Sequence, residues 1–571
     1  CTCRASTSCV SSPCRCRAHA DLDALRRQPA VRAFLEHARR RRPGYDIDAA
    51  DAVHLVEVLR RLDGLPLGIE LAARQVGVMP LRDVRNRLDR ALDLAIGRPS
   101  AEDRRQRTLR ASIDSSYRML DDAARALLLS LAPFPGGFDV ATVEAMAAGP
   151  EDPLDTLHRL VDASLLVAEP RLGRFRLLFT VRGFLLDELR GQGMLAAAHD
   201  AFVARCVALS EELGDLAIGA REVEADRRLR AELDNLRAAW DLAAATGDME
   251  ARVRMCVALG DAMTWRDLRE LWWWALELGR EPAVVGHPNR PAVLGCAAEG
   301  ARLQGDLETA ARLAEEAIAL AGQDADPEQV YRAWSVRGSV AHFRGDFTAA
   351  RDHWIRSGEG RPRTSGAWLA SAALAASYAG DAAAARALLD RAHAADRATP
   401  SASQVAFTTY VEGELRVTRA PEESIPFYVE AISRAQSCGA HFVEGVAGVA
   451  LASARARSGD VAGAARQFRE LIDAWQRSGH LTQLWTTARN AAALLAGAGR
   501  PQVAALVLLC ADEQPGAAAV SPAIARHSGR LYVPLADLVR DEDLGLLRAE
   551  VDRLTATEVL DVLHAELAAL E

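Results

Sequence analysis

A turn that recurs at nearly constant spacing through the second half of the chain constrains its fold more than any other feature. The turns begin at Gly305, Gly345, Gly380, Ala420, Gly459 and Gly499, stepping by 40, 35, 40, 39 and 40 residues. Four of them read Gly-Asp: Gly305-Asp306, Gly345-Asp346, Gly380-Asp381 and Gly459-Asp460, each followed by an alanine-rich helical run such as GDFTAARDHWIRS. The chemistry is local. Glycine takes the backbone conformation that ends one helix, aspartate caps the start of the next, and small alanines let the two helices pack closely. Helix–turn–helix units repeating every 34–40 residues build a helical solenoid, in which each pair buries its apolar face only against its neighbours.

The first two hundred residues follow another pattern. Runs such as PAVRAFLEHARR, AADAVHLVEVLRRLDG and PLGIELAARQVG have the apolar spacing of amphipathic helices. Asp46, Asp48 and Asp51 lack the glycine and glutamate of a calcium loop, so Asp48 or Asp51 is expected to cap the next helix instead. Further on come three helices (LDDAARALLLSLAPF, VATVEAMAAG, PLDTLHRLVDASLL). Two strand-like runs, LLVAE and RFRLLF, follow them, and then the helix VRGFLLDELR. Three helices and a hairpin in that order form the layout of a winged helix. Its third helix offers only His158 and Arg159 beside Asp155 and Asp162, and its hairpin only Arg171, Arg174 and Arg176. That is a thin phosphate-binding patch, and a structural winged helix is expected.

Composition narrows the chemistry. The 571 residues contain no lysine, so all 69 basic side chains are arginine; with 78 acidic residues the net charge is −9. A Walker A loop needs its lysine and a Schiff-base enzyme needs one as nucleophile, so neither is complete here. Acidity argues against a dominant nucleic-acid footprint. No apolar run approaches the ~18 residues of a membrane span and no signal peptide is visible, which points to a cytoplasmic protein. H-E-x-x-H, G-x-S-x-G and G-x-G-x-x-G are all lacking, so no catalytic residues and no metal site are expected.

Cys206, Cys256, Cys296, Cys438 and Cys510 are scattered singly through helical sequence and read as buried apolar side chains. Cys1, Cys3, Cys9, Cys14 and Cys16 crowd the first sixteen residues at spacings that do not suit zinc. A cysteine codon read one frame over becomes a leucine, valine or methionine codon, so residues 1–18 are expected to be a frame-shifted translation. Trp272-Trp273-Trp274 points around most of a helix and is expected to pack between helix pairs.

Several long strings, in order, carry a family resemblance: RRLDGLPLGIELAA, RQRTLRASIDSSYRMLDDAARALLLSLAPFPGGF, LHRLVDASLLVAEPRLGRFRLLFTVRGFLLDEL and LRAELDNLRAAWDLA. Over roughly residues 21–510 the chain resembles the STAND class of signal-transduction ATPases with numerous domains, which includes the NB-ARC proteins. Within that class it looks like the large bacterial ATP-binding transcriptional regulators of the antibiotic-regulatory and LuxR-type groups.

The resemblance implies a mainly α fold: a helical STAND subdomain plus a winged helix, followed by a tetratricopeptide (TPR)-like α-solenoid. The expected divisions are 1–18, anomalous; 19–97, helical subdomain; 98–195, winged helix; 196–280, helical linker; 281–510, repeats; and 511–571, C-terminal helices. It also implies a switch in which nucleotide acts in a P-loop core, an inducer or protein partner binds the repeat groove, and a DNA-binding domain gives the output. The core and any DNA-binding domain are expected upstream of this chain. ATP or ADP is therefore implied only for the full-length family member, and no cofactor for this chain.

Family positions carry over thinly. Gly64, Leu65, Pro66 and Leu67 match the GLPL segment, whose proline is expected near the nucleotide base; a C-cap glycine followed by a helix-starting proline explains the same residues without a ligand. The phosphate-sensing position of the winged helix falls at Phe179-Thr180, where an aromatic replaces the usual polar residue, which weighs against sensing. The chain is thus expected to be the regulatory portion of such a regulator and not an enzyme. The alternative is a free-standing tetratricopeptide scaffold for protein–protein interaction.

Overall fold

A computed structural model describes residues 25–42, 45–61, 69, 72–73, 75–76, 79–88, 101–147, 152–322, 326–417, 421–514 and 531–571. Residues 1–18 and the GLPL residues Gly64–Leu67 lie outside the described residues. The chain divides into two compact units, Cys1–Arg205 and Cys206–Glu571.

The first unit begins with α1 (Pro29–Arg41), α2 (Ala49–Arg61) and α3 (Leu81–Leu88). Pro29 starts α1 at a position where its missing N–H costs nothing. Asp48 accepts a hydrogen bond from the Asp51 amide at 2.7 Å, so the acidic triplet is helix-capping chemistry. Val31, Phe34, Leu55, Val58, Leu81 and Val84 form the core between the three helices.

Helices α4 (Ala101–Arg118), α5 (Asp122–Leu131), α6 (Val140–Met146) and α7 (Pro153–Asp162) follow. Asp121, Asp139 and Asp152 cap the last three through their side chains. Strands β1 (Phe138–Asp139), β2 (Val167–Glu169) and β3 (Arg174–Arg176) make an antiparallel sheet in the order β1-β3-β2, with Phe138 opposite Phe175 and Val167 opposite Arg176. Gly137 must be glycine twice over. Its φ is +72°, and a Cβ there would sit 2.5 Å from the Phe175 carbonyl oxygen. Helix α8 (Phe179–Gly191) is tied to the end of α5 by Arg182, whose guanidinium donates to the carbonyls of Ala132 and Pro133.

Helix α9 (Leu195–Leu216) carries the chain into the second unit. There α10 (Glu222–Thr246), α11 (Met249–Leu259), α12 (Ala262–Trp265) and α13 (Arg269–Arg280) precede six helix pairs. The pairs are α14 (Arg290–Leu303) with α15 (Leu307–Ala321), α16 (Pro327–Arg344) with α17 (Phe347–Gly360), and α18 (Ser365–Tyr378) with α19 (Ala382–Ala398). They continue as α20 (Ala402–Val417) with α21 (Pro421–Cys438), α22 (His441–Arg457) with α23 (Val461–Ser478), and α24 (Leu481–Gly497) with α25 (Pro501–Glu513). Helices α26 (Asp541–Val551) and α27 (Ala556–Ala568) pack on the last pairs, α26 through Val551 and α27 through Val559, Leu563 and Leu567.

The turn chemistry is visible residue by residue. Gly305, Gly345, Gly380 and Gly459 have φ between 83° and 89°. Asp306, Asp346, Asp381 and Asp460 each accept a hydrogen bond from the amide three residues on, at 2.9–3.0 Å. Ala420 falls outside the described residues. Gly247-Asp248 makes the same turn between α10 and α11, ahead of the six pairs and outside their register.

Within a pair, an aromatic of the second helix lies against a glycine of the first. Added Cβ atoms at Gly338, Gly413 and Gly445 would meet Trp354, Tyr428 and Trp475 at 2.6, 2.7 and 2.0 Å. Small residues are thus required where the helices cross most closely.

Candidate functional site

In the first unit, Phe179 and Thr180 open α8 and are both half-buried, on the helical turn after β3. Three cations of the neighbouring elements are engaged within the fold. Arg159 pairs with Asp121 and donates to Thr156, Arg174 donates to the carbonyls of Gly136 and Gly137, and Arg176 pairs with Glu169. No group of His, Cys, Asp and Glu among the described residues is arranged to hold a metal ion. The five described cysteines are buried and free of disulfides.

The second unit holds the candidate site, and its construction begins with residues 206–280. They belong to the same compact unit as the repeats and are not a spacer between units. Ion pairs and rings across large sequence separations lay this segment along the first helices of the pairs. Arg363 donates to the Asp215 carboxylate at 3.1 Å and to the carbonyls of Asp215 and Ile218. Glu222, fully buried, accepts from the Ser403 amide at 2.6 Å and from the hydroxyls of Ser401 and Ser403 at 2.9 and 2.7 Å. Arg266, equally buried, lies 3.0 Å from Asp226 and 3.8 Å from Glu222.

Just before α12, Asp261 accepts from Arg332 at 2.7 Å and from the Tyr331 hydroxyl at 2.5 Å, and pairs with Arg361 at 2.9 Å. Burial alone would raise the Asp261 carboxyl, but the Arg332 and Arg361 guanidiniums outweigh it and hold the group below the usual carboxylate range. Trp265 packs on Phe407 and Phe442 with centroids 5.3 and 6.2 Å away, and Trp272 packs edge-on to His480 at 4.8 Å. Of the three consecutive tryptophans, Trp272 and Trp274 are buried, the latter stacked on Trp240, whereas Trp273 is 52% exposed.

One cavity of about 110 Å³ remains where the first helices of all six pairs meet this segment. Trp265, Trp368, Phe407, Tyr410 and Phe442 supply aromatic walls. Its polar lining includes Glu299 and Arg302, which hold each other in a two-pronged pair at 2.7 and 2.8 Å. Burial pushes the Glu299 carboxyl up, but Arg302 more than reverses this and keeps it ionised. Behind the wall, His480 is driven down to about 3 by burial, reinforced by the Arg302 charge, and is neutral at pH 7. A larger indentation of about 270 Å³ lies on another face, between α21, α22 and α23, where Arg455 is engaged by Gln467.

Sequence reading located the repeat turns but neither the cavity nor the buried charges. The turns recur at one spacing, whereas the cavity lining follows no common position, with Arg302, Phe343, Phe442 and Gln483 near helix ends and Ser335, Ser371 and Tyr410 further inside. Glu222 and Arg266 carry no signal in a linear scan, because their partners are up to 181 residues away.

No family model matches the chain. In sequence it is similar to proteins of Mycobacterium tuberculosis and Mycobacterium bovis, each named "Putative HTH-type transcriptional regulator", at 39% identity over 236 residues. That match covers 40% of this chain and 26% of the relative, so the chain accounts for about a quarter of those proteins' length. A second Mycobacterium tuberculosis relative, named only as an uncharacterized protein, is 37% identical over 183 residues, 31% of this chain and 46% of its own length. Among solved structures, a signal-transduction ATPase with numerous domains and a tetratricopeptide repeat sensor, from Pyrococcus horikoshii, aligns over 94% of this chain and 74% of its own. The identity there is 13% and the TM-score 0.41, too low for the likeness to carry an argument.

Proposed function

We propose that the chain is the sensory and regulatory portion of a STAND-type transcriptional regulator whose repeats take up a small inducer. The sequence similarity to HTH-type regulators supports the regulatory half of this statement. The observation that carries the sensory half is the cavity at the meeting point of six helix pairs. A molecule bound there would touch every pair at once. Because residues 215–272 already occupy the face that a partner helix would need, the geometry favours a small molecule over a protein.

The first unit, with three helices and a hairpin, is read as a winged helix that relays the state of the repeats. Arg159, Arg174 and Arg176 are engaged within the fold, which leaves a thin basic patch, so DNA contact is assigned to a domain outside this chain. Nucleotide binding is likewise assigned to a P-loop core outside it, since a chain without lysine cannot complete a Walker A loop. The chain itself is read as non-enzymatic and cytoplasmic; no helix among the described residues is long and apolar enough to cross a membrane.

Transcript profiling of the source organism with and without the gene tests the reading. A defined set of transcripts should change on deletion and return on complementation. Indistinguishable profiles would favour the rival, a tetratricopeptide scaffold with no role in transcription.

A further inference from the structure

The geometry points to an uncharged, single-ring aromatic molecule with one hydrogen-bond donor, a phenol in chemical class, as the ligand of the cavity at the centre of the repeats. The inference rests on reading the repeats as a sensor and adds the ligand's chemistry.

Three observations fix that chemistry. The first is size. About 110 Å³ is close to the ~150 Å³ cavity that accepts benzene, and well below the ~300 Å³ at which pockets for larger ligands begin. The second is charge. Glu299 and Arg302 are ionised but cancel each other through two short hydrogen bonds, so a charged ligand would enter without a counter-charge. The third is hydrogen-bond polarity. The hydroxyls of Ser339, Ser371 and Thr486 each donate to the carbonyl four residues earlier on their own helix, at 3.1, 2.9 and 2.8 Å. Their protons are committed, so towards the cavity they offer only lone pairs. A ligand hydroxyl that donates meets three acceptors there and can accept from the Gln483 amide, which also lines the cavity, and the aromatic walls favour a flat ring as its body.

Titration calorimetry on the purified 571-residue chain tests this with four single-ring probes of similar shape: p-cresol, 4-methylanisole, p-toluate and 4-methylbenzylamine. We expect p-cresol to bind at one site. 4-Methylanisole, which has the ring but no donor, should bind about tenfold more weakly, the worth of one net hydrogen bond. The two charged probes should show no binding.

Ser371→Leu, which fills the cavity, should abolish p-cresol binding. Should that variant fail to fold, a combined Ser339→Ala, Ser371→Ala and Thr486→Val protein, nearly unchanged in volume, should erase the preference for p-cresol over 4-methylanisole. The inference is overturned if p-cresol does not bind, as for a cavity that holds only water. It is equally overturned if p-toluate binds as tightly as p-cresol, if the donor makes no difference, or if the variants bind like the parent. Failure here leaves the transcript test of the regulatory reading standing. Conversely, p-cresol bound at this site with no transcript change removes that reading and keeps the site.

Discussion

Glu222→Ala should be among the most destabilising single substitutions in the second unit. The carboxylate is 1% exposed and accepts three hydrogen bonds from Ser401 and Ser403, at 2.6–2.9 Å. Hydrogen bonds to a charged group contribute about 1.5–3 kcal/mol each, which sets a gross ceiling of about 4.5–9 kcal/mol. Two effects reduce that figure. The truncated side chain leaves room for water, and Ser401 and Ser403 can also bond each other, their hydroxyls being 3.2 Å apart. One effect adds to it, because Arg266 loses one of its two buried counter-charges and keeps only Asp226. The expected cost is about 3–5 kcal/mol, in the range for breaking a buried pair.

Urea unfolding followed by tryptophan fluorescence reads this as a shift in midpoint at constant slope. In a double-mutant cycle, Ser403→Ala should couple to Glu222→Ala by at least about 0.5 kcal/mol. A loss below about 1 kcal/mol, or additivity of the pair, would show that the segment is not held to α20 as described.

Four further outcomes follow from other residues. His480 is neutral when folded, with its pKa depressed to about 3, so between pH 6.5 and 3 the unfolded chain takes up the proton and stability falls as pH falls. Going from pH 7 to 5, His480 should account for about 2 kcal/mol of lost stability, and the His480→Phe protein should lack that increment; equal losses in both proteins contradict the assignment. At a repeat turn with open space around it, Gly380→Ala should cost about 1–2 kcal/mol for its left-handed backbone alone. Asp381→Ala should cost about 1 kcal/mol for the lost cap, both as shifts in the thermal midpoint of the second unit. Gly137→Ala combines a left-handed φ with a Cβ 2.5 Å from the Phe175 carbonyl, and should lower the first unit's thermal stability by about 2–4 kcal/mol; a neutral result refutes the close approach.

What could be read from the sequence was what short-range chemistry encodes. A Gly-Asp turn works within about five residues, so Gly345-Asp346 or Gly459-Asp460 announces a helix pair without knowledge of the rest. Gly247-Asp248 carries the same signal but stands outside the six-fold register, and a linker was expected there instead. Of the tryptophan run, Trp272 and Trp274 are buried as expected, whereas the exposure of Trp273 was not legible in the sequence. The cavity does not follow, because its walls come two to five residues at a time from six pairs. Neither do the bonds of Glu222 to Ser401 and Ser403: a polar side chain scans as surface until its partner is known. The GLPL residues Gly64–Leu67 fall outside the described residues.

The central claim is that residues 215–272 are packed against the interior face of the repeats and leave room there for one small molecule. Amide hydrogen exchange of the purified chain measures this directly. Peptides covering α12 and the start of α13 should exchange as slowly as those from α20 and α22, because opening them breaks the packing of Trp265 and Trp272 and the Asp261 pairs. Exchange at the rate of an exposed linker, with α20 and α22 still protected, would contradict the claim.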